Sequence, residues 1–202
     1  IFGDTPQSPQ SETSPMRPTT PYAVAKLAAH LLVGTLRTHF GQHASSGITF
    51  NHESPRRPER FLPRKVTRAA ARIKLGLEDE LVLGDLDAVR DWCHAVDVAR
   101  AAWLMLQRDQ PDDYVIAGGV GRTVRELVEV AFGHVGLDPD RHVRVDERFT
   151  RAREPHPPVG DATKARRVLG WEPLISFEAM IAEMVDADLA SEAQAPTGAA
   201  SS

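Results

Sequence analysis

Thr20-Pro21-Tyr22-Ala23-Val24-Ala25-Lys26 opens a helix, and Gly47-Ile48-Thr49-Phe50-Asn51 beyond it reads as a short buried strand ending in polar residues. Thr20 is a good N-cap and Pro21 a good first helical residue. Val24, Leu27, Ala28 and Leu31 fall on one stripe of that helix. Working outward, Arg64 to Leu75 reads as a second helix, with Val66, Ala69, Ala70 and Ile73 inward and Gly76 as its stop. Leu81-Val82-Leu83 reads as a strand. Asp97 is expected to cap a helix through Gln107, and Tyr114 to Ala117 to form another strand. Thr123 and Glu126 have capping-box spacing for a helix ending near Gly136. Asp161 starts a helix stopped by Gly170, and Ser176 starts one with Phe177, Met180, Ile181, Met184 and Val185 inward. Helices alternating with strands imply an α/β architecture with parallel pairing. The Pro/Ser/Thr/Gln-rich stretch from Gly3 to Thr19 is expected to be an irregular surface loop, and the tail after Ser191 to be disordered.

Composition narrows the possibilities. The 202 residues suffice for one good core with a smaller lobe attached. A hydrophobic fraction of 42% with a net charge of −4 describes an ordinary soluble protein and argues against a nucleic-acid binder. The single cysteine, Cys93, rules out an intrachain disulfide and fits a reducing, cytoplasmic setting. No apolar run approaches the length of a membrane span, so no membrane partner is expected. Basic residues are mostly arginine; Lys26, Lys65, Lys74 and Lys164 are the four lysines and Asn51 the single asparagine. The chain opens on Ile1 and reads as a piece of something longer.

Tyr22 and Lys26 are four residues apart, which on a helix stacks them on one face about 6 Å apart along the axis. A phenol, with a pKa of about 10, is a poor base at neutral pH, and a neighbouring ammonium stabilises its phenolate. The spacing also arises on any amphipathic helix. Pro21 before the tyrosine and the strand ending at Asn51 favour an acid/base role.

Pro21-Tyr22-x-x-x-Lys26 followed by Phe50-Asn51-His52-Glu53-Ser54-Pro55-Arg56-Arg57 resembles the GDP-mannose 4,6-dehydratases, extended short-chain dehydrogenase/reductases of the NAD-dependent epimerase/dehydratase type. The similarity runs on through Phe61–Arg68, Leu83–Ala88, Arg90–Ala95, Trp103–Gln107 and Leu169–Pro173. The Tyr/Lys motif marks the superfamily; the Asn-His-Glu-Ser-Pro-Arg-Arg block is much narrower.

The resemblance implies the C-terminal part of a Rossmann-type parallel sheet interleaved with the smaller substrate-binding lobe, over residues 1–190. It implies a redox cycle on NADP that converts GDP-D-mannose to GDP-4-dehydro-6-deoxy-D-mannose and water, and a homo-oligomer, dimer or tetramer, at full length. Tyr22 would take the proton of the sugar 4-hydroxyl as hydride leaves C4, a glutamate would remove the C5 proton, and hydride would return to C6. Lys26 would hold the nicotinamide ribose and lower the tyrosine pKa. His52 and Arg57 match positions that contact NADP. Asn51, Lys65 and Arg90 match positions that hold the GDP-sugar, and Arg151 and Glu154 match an Arg-x-x-Glu that grips its nucleotide end. Arginine and lysine donors suit a diphosphate, and a carboxylate suits ribose hydroxyls. Without the family, Arg90-Asp91 could be a surface ion pair and Arg151 with Glu154 an i,i+3 helix pair.

Departures from the family pattern are also visible. The Gly-rich nucleotide turn and the Ser/Thr and Glu of the catalytic set would lie before Ile1, so little or no turnover is expected of the chain as written. Glu53 matches a different family position and is no substitute for that glutamate. Pro58-Glu59-Arg60 follows the double arginine, Cys93 stands where glycine is usual, and His156 replaces an acidic residue. Other nucleotide-sugar epimerases, dehydratases or reductases, and a non-catalytic GDP-sugar-binding fragment, are the alternatives; a metal-dependent hydrolase is remote.

Two motifs are decoys. Gly118-Gly119-Val120-Gly121 before the helix at Thr123 mimics a dinucleotide turn but lacks Gly-x-Gly-x-x-Gly spacing, so a plain strand-turn-helix junction is expected. His39 and His43 have i,i+4 spacing but no intervening glutamate in the zinc-protease manner and no evident third ligand, so surface histidines are expected.

Overall fold

The computed structural model describes residues 1–149 and 156–194. Its α-helices are α1 (Pro21–Phe40), α2 (Leu62–Lys74), α3 (Ala95–Leu106), α4 (Val124–His134), α5 (Pro139–His142), α6 (Thr163–Leu169) and α7 (Phe177–Gln194). Its strands are β1 (Ser46–Thr49), β2 (Asn51–Glu53), β3 (Leu81–Leu83), β4 (Val89–His94), β5 (Asp113–Ile116), β6 (Gly121–Thr123) and β7 (Val143–Val145). The fold is α/β with parallel strand pairs, as the alternation predicts: β1 runs parallel to β5 and β3 parallel to β7. The described residues fall into two compact units, 1–52 with 89–122 and 156–176, and 53–88 with 123–149 and 177–194.

In the first unit, the Thr20 hydroxyl accepts the Ala23 N–H at 3.1 Å and starts α1, which ends on Gly41 at φ 63°. The apolar stripe expected on this helix is not buried. Val24 and Leu31 are 54% and 60% exposed, and no residue of α1 is buried. The covered face is instead the half-buried row Ala23, Leu27, His30, Gly34 and Arg37. It is anchored by polar contacts: His30 Nδ1 to the Ser46 hydroxyl at 2.8 Å and Arg37 to both Asp113 oxygens at 2.9 and 3.1 Å.

The single strand expected over Gly47–Asn51 is two. β1 pairs with β5, the Phe50 N–H extends that ladder to the Ile116 carbonyl at 3.0 Å, and β2 then enters a sheet of order β2-β4-β6. β5 is buried along Tyr114, Val115 and Ile116. Val115 and Ala117 pack with Phe2 and Ile48. Tyr114 and Ile116 pack with Cys93, Ala101, Met105, Ala165, Leu169 and Trp171. A parallel strand covered on both sides reads as a continuous apolar run, which is why it was legible.

Asp97 does not cap α3: His94 does, its Nδ1 accepting the Val96 N–H at 3.1 Å. The buried Asp97 carboxylate accepts the Leu174 and Ile175 N–H groups, each at 3.1 Å, and its carbonyl accepts Trp171 Nε1–H at 2.8 Å. The Leu169–Pro173 segment is thereby docked on the start of α3. The Gly3–Thr19 loop is irregular but not wholly superficial, since Thr5, Gln10 and Ser14 are buried. Gln10 exchanges backbone bonds of 2.7 Å with Val159 and Asp161.

In the second unit, α2 and α7 bury the residues their periodicity predicts, apart from a half-buried Phe177. Arg64, Arg68 and Arg72, one turn apart, meet Asp188 and Glu192 of α7 at 2.5 to 2.7 Å. Thr67 donates its hydroxyl to Asp188 Oδ2 at 2.7 Å. α7 runs past Ser191 to Gln194, and the rest of the expected disordered tail lies outside the described residues. The Thr123/Glu126 capping box forms at the start of α4 as expected.

Candidate active site

Each unit presents the carboxyl end of a parallel strand pair, the place where open α/β sheets bind ligands. In the first unit, Tyr22 stands in the first turn of α1 with 72% of its surface exposed. The Lys26 ammonium lies one turn on, 5.6 Å from the Tyr22 ring centroid, which keeps a positive charge beside the phenol. Asn51 and His52 follow directly from the carboxyl end of β1. His52 Nδ1 lies 3.0 Å from the Phe50 carbonyl and so donates to it. Arg90 is on β4, which adjoins β2, so Asn51, His52 and Arg90 share one sheet. The Arg90 guanidinium is half-buried and donates to the Val89 carbonyl at 2.6 Å.

Asp91 is fully buried and explains the glycine turn that follows β5. One of its oxygens accepts the Gly118 N–H at 2.7 Å. The other accepts those of Gly119 at 2.9 Å and Gly160 at 3.0 Å. The amides that could cradle a phosphate therefore hold the chain's own carboxylate. Burial pushes the Asp91 carboxyl above its ordinary pKa, and the three amides pull it back. A Cβ on Gly118 would lie 2.8 Å from the Trp92 carbonyl oxygen, so the close approach requires glycine. The turn leads through β6 into α4, a junction with one more strand than expected.

In the second unit, Arg57 lies between two partners. Its Nε is 3.1 Å from Glu53 Oε2, and its guanidinium carbon is 3.6 Å from the Phe61 ring centroid. Lys65, on the first turn of α2, donates from Nζ to the Val82 carbonyl at 2.7 Å and lies 6.0 Å from the Phe149 ring. An open cleft of ≈500 Å³ lies past the ends of β3 and β7, lined by Asp85, Leu86, Asp87, Arg125, Val145 and Glu147. None of these was singled out from the sequence, where Leu83–Ala88 registered only as a matching segment. Arg151 and Glu154 lie outside the described residues.

The two decoy histidines have local partners: His39 Nδ1 lies 2.8 Å from the Thr38 hydroxyl and His43 Nε2 2.7 Å from the Arg108 carbonyl. Among the described residues, no group of three or more His, Cys, Asp or Glu side chains is placed to hold a metal ion. No described helix is long and apolar enough to cross a membrane. Cys93 is buried, and burial pushes its thiol up to about 12, which makes it unreactive.

Comparison with known proteins identifies the lineage. The sequence profile of the family described as GDP-mannose 4,6 dehydratase matches residues 1–184. The chain is 50% identical to GDP-mannose 4,6 dehydratase 1 of Arabidopsis thaliana over 94% of its own length and 52% of the relative's. It is 42% identical to GDP-mannose 4,6 dehydratase of Homo sapiens, over 94% of this chain and 55% of that one. It thus spans about half the length of the curated relatives it matches. Among solved structures, RMD from Pseudomonas aeruginosa complexed with NADPH superposes with a TM-score of 0.87 at 25% identity, over 95% of this chain and 64% of that chain. DesIV, a dTDP-glucose 4,6-dehydratase from Streptomyces venezuelae with NAD and TYD bound, gives 0.77 at 26% identity, over 93% and 56%. With a family match over residues 1–184, the chain belongs to the GDP-mannose 4,6 dehydratase family.

Proposed function

We propose that this chain is the acid/base and GDP-sugar-binding part of a GDP-mannose 4,6-dehydratase, which turns GDP-D-mannose into GDP-4-dehydro-6-deoxy-D-mannose and water. The observation that carries the reading is Tyr22 with the Lys26 ammonium beside its ring, in the unit whose β1 leads directly into the family-specific Asn51–Arg57 block. Tyr22 receives the proton of the sugar 4-hydroxyl, with the Lys26 ammonium beside its ring. Asn51 and Arg90, which share one sheet of the first unit, hold the GDP-sugar; Lys65, Arg151 and Glu154 match family positions with the same role.

Lys26 and His52 of the first unit supply donors that fit a dinucleotide, an ammonium for ribose hydroxyls and an imidazole; Arg57 matches a family position that contacts the same cofactor and brings a guanidinium suited to phosphate. When bound, the nicotinamide supplies reversible hydride acceptance. NADP is proposed over NAD, supported by the NADPH complex of the structurally similar RMD. The test uses the protein as expressed from its own gene, incubated with GDP-mannose, GDP-glucose, dTDP-glucose and UDP-glucose, each with NADP or NAD. Release of a 4-keto, 6-deoxy sugar from GDP-mannose with NADP is expected. Turnover of another nucleotide sugar in its place would overturn the substrate assignment.

A further inference from the structure

Glu53, the last residue of β2, has a fully enclosed side chain, yet neither carboxylate oxygen accepts a hydrogen bond from a described residue. One cation lies beside it: Arg57 Nε is 3.1 Å from Oε2, close but not aligned as a hydrogen bond. Phe61 supports the same guanidinium on its face at 3.6 Å. The Arg57 side chain is 26% exposed, and its Nη1 and Nη2 donate to no described residue. The group is therefore held along one edge and one face, with two of its nitrogens uncommitted.

We propose that Glu53 and Arg57 form a proton-linked anion subsite: a phosphate group bound by the Arg57 Nη donors is accompanied by uptake of a proton from solvent onto the Glu53 carboxylate. The proposal rests on the assignment of Arg57 to a phosphate-bearing cofactor and adds the coupling. While ionised, Glu53 depends on Arg57 for its near counter-charge, because no hydrogen bond from a described residue helps it. A phosphate on the other edge of that guanidinium divides one cation between two anions at low dielectric, and protonating the enclosed carboxylate removes the conflict. The proton is available near neutrality, since burial pushes the Glu53 carboxyl up to about 7 against the pull of Arg57. No bond other than the carboxyl O–H forms, and none breaks.

Among the described residues, the neighbouring charges do not supply a second counter-ion. His52, just before Glu53 in sequence, directs Nδ1 to the Phe50 carbonyl. Arg56, Glu59 and Arg60 are exposed. Glu59 pairs with Arg68, and the Arg60 guanidinium lies 5.0 Å from the Phe61 ring. A rival role is available to Glu53, that of a brace for Arg57, and it has the opposite signature. A brace makes Glu53→Gln bind phosphate more weakly; a proton-linked subsite makes it bind more tightly, because the amide mimics the protonated acid.

The test is calorimetric titration of the whole chain with NADP and, separately, inorganic pyrophosphate, at pH 7.5 in two buffers of different ionisation heat. The wild type is expected to take up a substantial fraction of one proton on binding, and Glu53→Gln to lose that uptake. Glu53→Gln should also bind about fivefold more tightly at pH 8 and show a flatter pH dependence, the remainder being the ligand's own phosphate ionisation near pH 6. Binding without an uptake difference between the two proteins, or weaker binding by Glu53→Gln, overturns the subsite while leaving Arg57 as a phosphate ligand. Binding of neither probe, or binding indifferent to Arg57→Ala, overturns both the subsite and the assignment of Arg57.

Discussion

The Asp91 carboxylate accepts the N–H of Gly160 at 3.0 Å, across 69 residues of sequence. With Gly118 and Gly119 on the same carboxylate, one side chain joins β4 to two turns of the first unit. Asp91→Asn keeps the shape but sets an amide N–H against at least one backbone N–H. It should cost about 2–4 kcal/mol, the range for losing charge-assisted bonds to a buried group. Urea melts with an unchanged slope and a lower midpoint are expected. A midpoint equal to wild type would show that the three amides find other acceptors.

The ion pairs of α2 with α7 differ in burial, and their deletions should differ accordingly. Asp188 is 1% exposed at its side chain and serves both Arg64 and Thr67. Asp188→Ala strands a guanidinium and a hydroxyl and should cost about 3 kcal/mol or more. Glu80→Ala, which breaks an exposed pair with Arg144, should leave the midpoint close to that of wild type. Equal losses from the two substitutions in denaturant melts would contradict this ranking.

Glu53 gives stability a specific pH dependence. Its folded-state pKa, about 7, lies above the ordinary 4.5, so between those values the folded chain holds a proton that the unfolded chain has released. Its contribution is complete below about 4.5, declines as pH rises, and is gone above about 7. The size is about 3 kcal/mol, most of it desolvation of the ionised carboxylate. The advantage of Glu53→Gln over wild type should therefore grow between pH 5 and pH 8. Asp91 and Asp188, also pushed up by burial, are common to both proteins and drop out of the difference. A gap that stays constant with pH would contradict the enclosed carboxylate.

Tyr22 is exposed, so its replacement should separate chemistry from folding. Tyr22→Phe should lower kcat by about 10²–10⁴ while leaving the unfolding free energy within about 0.5 kcal/mol of wild type. Lys26→Met should also lower kcat by about tenfold or more, because the site loses the ammonium that lies beside the Tyr22 ring. Wild-type kcat in Tyr22→Phe would remove the tyrosine from the chemistry.

What was legible in the sequence follows from what local pattern encodes. α2 and α7 were readable because Val66, Ala69, Ala70 and Ile73, and Met180, Ile181, Met184 and Val185, repeat at helical period and are all buried. The α4 capping box was readable because both of its partners lie within four residues. β4 was missed because Arg90, Asp91 and His94 break its apolar run; Asp91 and His94 are buried at contacts no pattern displays. Asp97 looked like a cap because its strongest partners, Leu174 and Ile175, are far along the chain. The stripe on α1 was a true apolar stripe, but the face that packs is set by His30 and Arg37, whose partners are polar. For the candidate site, Tyr22, Lys26 and the Asn51–Arg57 block were recognisable as motifs. The enclosure of Glu53 and the cleft at Asp85, Asp87 and Glu147 depend on tertiary packing alone.

The proposed internal redox cycle on GDP-mannose, with Tyr22 as the base at the 4-hydroxyl, moves the C4 hydrogen to C6. GDP-mannose carrying deuterium at C4, incubated with NADP and the protein as expressed from its own gene, reports that transfer. A 4-keto product that has lost water and carries the deuterium at C6 is expected, with Tyr22→Phe forming it far more slowly. Deuterium left at C4, its release to solvent, or a product without the 4-keto group would contradict the cycle.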